Sequence, residues 1–140
     1  MVYVLDASFV GRVIIPDEKN PYAEKMYLTI KNDDEKYVPC LFFYEMASIF
    51  MKLIRNKRYN YDEAVALLPS LAMIHLTVDS ETGPAYTEKL LRLCNDHNLS
   101  AYDAAYLELA GRKKAVLCTM DERLRAAAAQ YGVTVLKVEG

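Results

Sequence analysis

Short runs of consecutive apolar residues alternate along this chain with longer stretches in which apolar positions recur every three or four residues. Val2 to Leu5 is such a run, ended by Asp6, and its unbroken apolar character predicts a first strand buried on both faces. A short helix over Phe9 to Ile15 stops before Pro16, and a second opens at Asn20-Pro21, with Asn as cap and Pro at the first helical position, running to about Lys31. A polar turn leads to a short strand at Tyr37-Val38-Pro39 and then to the strongly apolar helix Leu41 to Arg55. Asn60, with Glu63 three residues on, predicts a capped helix from Tyr61 to Leu68, ended by Pro69 ahead of a strand over Ile74 to Val78. Tyr86, Leu90, Leu93 and Cys94 recur at helical spacing, which predicts a helix from Gly83 to His97. Ser100 and Asp103 open an alanine-rich helix to about Arg112; a strand over Ala115 to Cys118 follows. A cap at Thr119 to Glu122 introduces a helix to Tyr131, and Gly132 precedes a last strand from Val133 to Val138.

Strands and helices that alternate in this way predict an α/β fold with a mainly parallel sheet covered by helices on both faces. The 140 residues, with no repeat, linker or low-complexity tract, make one domain, 1–140. In such folds the reactive site lies beyond the carboxyl ends of the strands, near the switch point of the topology. A composition of 53% hydrophobic and 26% charged residues excludes a disordered chain. The longest stretch free of Asp, Glu, Lys and Arg, Ala64 to Val78, is broken by Pro69 and is shorter than the roughly 20 apolar residues of a membrane span. The first residues lack the basic start of a signal peptide, so the expected location is the cytoplasm. Cys40, Cys94 and Cys118 are widely spaced and odd in number, which predicts small core residues instead of disulfides or a metal knuckle. A net charge of −2 leaves any polyanion binding to a local basic patch, best represented by Lys52, Arg55, Lys57 and Arg58.

The candidate chemistry is acidic. Asp6 follows the first strand and Asp121 the strand at Ala115 to Cys118, each two residues from a hydroxyl, Ser8 and Thr119. Glu45 and Asp103 stand near the starts of helices that begin on the same side of a right-handed parallel sheet. Carboxylates gathered about 5 Å apart repel by roughly 3 kcal/mol per pair at an effective dielectric of 20, which helix dipoles of about 0.3–1 kcal/mol do not offset. A divalent cation does, and an all-oxygen donor set favours magnesium or manganese over zinc. Such ions borrow further ligands from substrate phosphates, so the set points to phosphoryl chemistry. Each acid also has a structural reading: Asp103 as a capping-box acid, Asp121 as a first-turn acid, Asp6 as a helix cap, and Glu45 as a solvent-facing residue beside Ser48 and Lys52. The functional reading rests on the four together. His75 and His97 have no catalytic spacing, the scattered glycines form no phosphate loop, and Tyr102 beside Asp103 is the tyrosine suited to base stacking.

The succession Val4-Leu5-Asp6-Ala7-Ser8, Glu45 on an apolar helix, Tyr102-Asp103-Ala104-Ala105-Tyr106, and Cys118-Thr119-Met120-Asp121-Glu122-Arg123-Leu124 resembles the PIN domain nucleases over essentially the whole chain. Size and element order resemble the VapC toxins of prokaryotic toxin–antitoxin pairs. The resemblance implies a PIN-like three-layer α/β/α fold and a metal site formed by Asp6, Glu45, Asp103 and Asp121, supported through hydrogen bonds from Ser8 and Thr119. It further implies Mg2+- or Mn2+-dependent hydrolysis of RNA by an in-line water, leaving a 5′-phosphate and a 3′-hydroxyl. A homodimer and a small VapB-like antitoxin are implied as assembly partners. Alternatives are an RNA-maturation nuclease on the same site and a silent module that binds RNA or an antitoxin. A phosphoaspartyl phosphatase is disfavoured because Ser8 stands where a second Asp belongs, and a receiver domain because no adjacent acidic pair follows the first strand.

Overall fold

In the computed structural model, which describes residues 1–138, the first strand, β1 (Val2–Leu5), lies inside a four-stranded sheet. Tyr3, Val4 and Leu5 are 4%, 0% and 0% exposed, as expected of a strand with side chains packed on both faces. With β2 (Glu35–Pro39), β3 (Thr77–Asp79) and β4 (Val116–Cys118) the order is β3-β2-β1-β4, every pair parallel. Tyr3 is in register with Lys36 on one side and Val116 on the other. Strands are added in one direction from β1 to β3, and the chain then returns to place β4 on the opposite side of β1. The switch point therefore lies between the carboxyl ends of β1 and β4.

Eight helices complete the α/β/α layers: α1 (Ala7–Ile14), α2 (Pro21–Leu28), α3 (Leu41–Arg55), α4 (Tyr61–Val65), α5 (Leu68–Ala72), α6 (Pro84–His97), α7 (Ala101–Lys113) and α8 (Glu122–Tyr131). Helix α1 packs with α2 and α3, while α7 lies against β1, β2 and β4 with α6 and α8 beside it. Seven consecutive residues of α7, Ala104 to Ala110, are buried, which the small side chains at 104, 105 and 110 permit. No helix among the described residues is long and apolar enough to cross a membrane.

Several boundaries differ from the sequence reading. Pro69 does not end a helix over 61–68; it sits in the first turn of α5, where its missing N–H costs nothing, so the segment divides into two short helices. The strand expected at Ile74 to Val78 starts only at Thr77, because His75 takes a left-handed conformation (φ 58°) and Ile74 turns into the core. The cap of α8 is Asp121, not Thr119. Of the strand expected over Val133 to Val138, only a bridge between Val135 and Leu117 forms. Because β4 is three residues long, a single residue, Leu117, directs its N–H and C=O to the outer edge; these pair with Thr134 and Leu136 at 2.8 and 2.9 Å. Among the cysteines, all free, Cys118 is buried as expected, whereas Cys40 is exposed at the start of α3.

At the other edge, β3 is tied to α7 by ions. Arg112 donates to both oxygens of Asp79 (2.9 and 2.7 Å) and to Glu108 one turn earlier (2.9 Å), and these acid side chains are only 9% and 6% exposed. Arg112→Ala strands two buried carboxylates and is expected to cost about 3 kcal/mol in urea unfolding at neutral pH. The Arg112 guanidinium also holds the Asp79 carboxyl below its ordinary range. That contribution is present above the unfolded value near 4 and is lost as pH falls through the lower folded value, so the acid limb of stability against pH should flatten in the variant. An unchanged limb contradicts this account.

Candidate active site

The end of β1 delivers Asp6 to the seam with β4, where its N–H donates to the Cys118 carbonyl at 3.1 Å. Its side chain is 5% exposed and accepts from three donors. One oxygen takes the Phe9 N–H (2.8 Å) and the Ser8 hydroxyl (3.0 Å); the other takes the Thr119 hydroxyl. The Thr119 oxygen in turn accepts the Asp121 N–H at 3.0 Å, linking the two strand ends through one hydroxyl. Asp6 thus caps α1, as its structural reading had it, and is also joined to the next acid along the seam. Burial pushes its pKa up to about 6 in spite of these donors, with the charge of Glu45 adding to the rise.

Glu45, in the second turn of α3, is half-buried, and one of its oxygens accepts from the Tyr106 hydroxyl of α7. Burial raises its pKa, the Tyr106 bond lowers it, and the charge of Asp103 raises it. Asp103 lies in the first turn of α7, where its N–H is capped by Ser100 at 3.2 Å. Its pKa is raised by burial and by the charge of Asp121, while Ser100 and Arg123 act in the opposite direction. Asp121 caps α8 through the Leu124 N–H at 2.8 Å. Asp6, Glu45, Asp103 and Asp121 therefore form one chain in which the charge of each bears on the next.

Tyr106 was not singled out from sequence, yet its fully buried ring and its bond to Glu45 connect α7 with α3. Its signal was its place three residues after Asp103, on the same helical face. Burial, then Glu45, then Asp6 hold the phenol protonated, so it acts as a donor.

No three His, Cys, Asp or Glu side chains among the described residues form a ready-made metal cage. The donor set nevertheless suits magnesium or manganese, which commonly take one or two protein carboxylates and complete their shell with water and substrate phosphate. Glu45 and Ser8 also line an open groove of about 650 Å³ with Tyr44 and Tyr102, both largely exposed. In the basic run, Lys52, Arg55 and Lys57 are exposed, whereas Arg58 is held by Glu18 (2.7 Å) and Asp17 (3.3 Å). His97 faces Gln130 and Tyr131.

Residues 3–130 match the PIN domain family, and the chain belongs to it. It is 27% identical over 124 residues to Ribonuclease VapC3 of Pyrobaculum aerophilum, covering 89% of this chain and 92% of that protein. Among solved structures, PAE2754 of Pyrobaculum aerophilum matches with a TM-score of 0.70 at 22% identity, over 97% of this chain and 92% of that one. Mycobacterium tuberculosis VapC20, a sarcin-ricin loop cleaving toxin, matches with a TM-score of 0.69 at 16% identity, over 99% and 100%. These two likenesses establish the fold.

Because the folded pKa of Asp6 is raised above its unfolded value near 4, the contribution of this group to stability is fully present below that value and is lost as pH rises through about 6. The loss is on the order of 3 kcal/mol by pH 7. Asp6→Asn keeps the Phe9 cap and removes the charge while exchanging the oxygen that accepts from Thr119 for a donor, so in EDTA the dependence of the melting temperature on pH between 4 and 7 should be reduced. A variant with the wild-type dependence over that range contradicts this.

Proposed function

We propose that the chain is a metal-dependent endoribonuclease and the toxin of a VapBC-type toxin–antitoxin pair. The observation that carries the reading is the buried Asp6 at the switch point, braced by Ser8 and Thr119 and coupled by charge to Glu45, as Glu45 is to Asp103 and Asp103 to Asp121. A fold that keeps a carboxylate buried at a cost to its own stability has a use for it. Family membership and similarity to a protein named as a ribonuclease support the same reading.

In this proposal the four acids hold one or two Mg2+ or Mn2+ ions. Bound there, the metal supplies activation of a water nucleophile and stabilisation of charge on the phosphate and leaving oxygen. The chain's own groups do the rest. Thr119 and Ser8 fix both oxygens of Asp6 in place, and Tyr106 orients Glu45 by donating to one oxygen and leaving the other free. Tyr102 offers a ring for an unpaired base, and Lys52, Arg55 and Lys57 offer positive charge for the RNA backbone. An apolar groove of about 320 Å³ between α3 and α4–α5, where Phe43, Met51, Tyr61 and Leu68 are exposed, supports an antitoxin partner. A homodimer is the proposed assembly.

Purified protein with total RNA in manganese is expected to give discrete fragments ending in 5′-phosphate and 3′-hydroxyl. EDTA, Asp6→Asn and Asp103→Asn should each abolish them with folding retained by circular dichroism. Tyr106→Phe should lower the rate at least tenfold, about 1.4 kcal/mol in the barrier, with the melting temperature little changed. Calorimetry showing no Mn2+ binding with or without RNA, together with no cleavage, would transfer the chain to the silent-module reading.

A further inference from the structure

The groove beside the acids does not end at Ser8. Ser8 and Ile49 also line a second concavity, of about 380 Å³, between α1 and α3, and here the walls carry Arg12 and Lys52. Arg12 follows Ser8 by four residues on α1, and Lys52 follows Glu45 by seven on α3, so each cation shares a helical face with a residue of the acidic site. At 1.5 Å per residue the displacements along the helices are about 6 and 10 Å. Both side chains are exposed, and neither makes an ion pair among the described residues. Glu18 and Arg58 also reach this concavity, but Arg58 is engaged by Glu18 at 2.7 Å and by Asp17 at 3.3 Å, so among the lining residues Arg12 and Lys52 are the cations not spent on an acid.

A cluster of carboxylates repels a polyanion, and one or two bound cations neutralise it only locally. A strand led into it needs positive charge that is not already spent on the protein's own acids. We infer that Arg12 and Lys52 form a phosphate subsite, which seats a backbone phosphate of the RNA strand flanking the one that is cleaved. Arg12 contributes a planar fork for two phosphate oxygens and Lys52 a point charge from the facing helix. This rests on reading the acidic cluster as an RNA-cleaving centre, and it gives the strand a path: Tyr102 and Tyr44, then Glu45 and Ser8, then Arg12 and Lys52.

The test is binding of a fluorescent single-stranded oligoribonucleotide by anisotropy in EDTA, over a range of salt concentration. For a single strand, each lost phosphate contact lowers the magnitude of the slope of log K against log salt by about 0.7. Arg12→Ala and Lys52→Ala are each expected to do so and the double variant to lose about 1.4, whereas Arg12→Lys restores the slope and Lys89→Ala, an exposed lysine on α6, leaves it unchanged. A double variant with wild-type slope and melting temperature overturns the subsite, as does a wild type that binds no RNA at low salt. So does a double variant that loses only a polyglutamate peptide, which assigns the pair to a carboxylate-bearing protein partner. The two readings fail separately: manganese-dependent cleavage with an unchanged slope removes the subsite, and a reduced slope without cleavage removes the nuclease while the phosphate contacts stand.

Discussion

The carboxyl group of Asp6 has nowhere to go but the seam between β1 and β4. Its backbone is fixed by pairing with Cys118, and its side chain is held by the start of α1 and by Thr119 ahead of α8. A carboxylate placed there without donors would be expelled or neutralised, and the local architecture supplies three. Thr119 is the pivotal one, because it donates to Asp6 and accepts from Asp121. The turn after β4 and the direction in which α8 leaves the sheet thus follow from satisfying one buried acid.

Helix α7 extends this order away from the seam. Its first turn carries Asp103, its second Tyr106, and its last turns Glu108 and Arg112. Buried on all sides over seven residues, it cannot slide without breaking either the Glu45 contact at one end or the Asp79 clamp at the other. The edge strand β3 and the acid cluster are therefore positioned by the same rigid rod, although neither touches the other.

What was legible in the sequence was whatever a local pattern could specify. The unbroken run at Val2–Leu5, the apolar periodicity of Leu41–Arg55 and the reciprocal Asn60–Glu63 cap appear as read. That the four acids stand at strand ends and helix starts was legible from the order of the elements. Features set by distant partners were not. Leu117 decides how much of 133–138 can pair, Asp6 redirects the Thr119 hydroxyl from capping, and Glu18 with Asp17 engages Arg58 from some 40 positions earlier in the chain. The role of Tyr106 carries no local pattern because its partner Glu45 lies on another helix.

The two margins of the sheet bear on how this protein can meet others. At one margin, the only outward-facing backbone pair of β4, that of Leu117, is already taken by Thr134 and Leu136; at the other, β3 is three residues long and its last side chain is gripped by Arg112. A visiting chain finds no ladder long enough to extend. Among the described residues strand addition is offered only a short edge, and association falls mainly to side chains on helices and to the grooves between them.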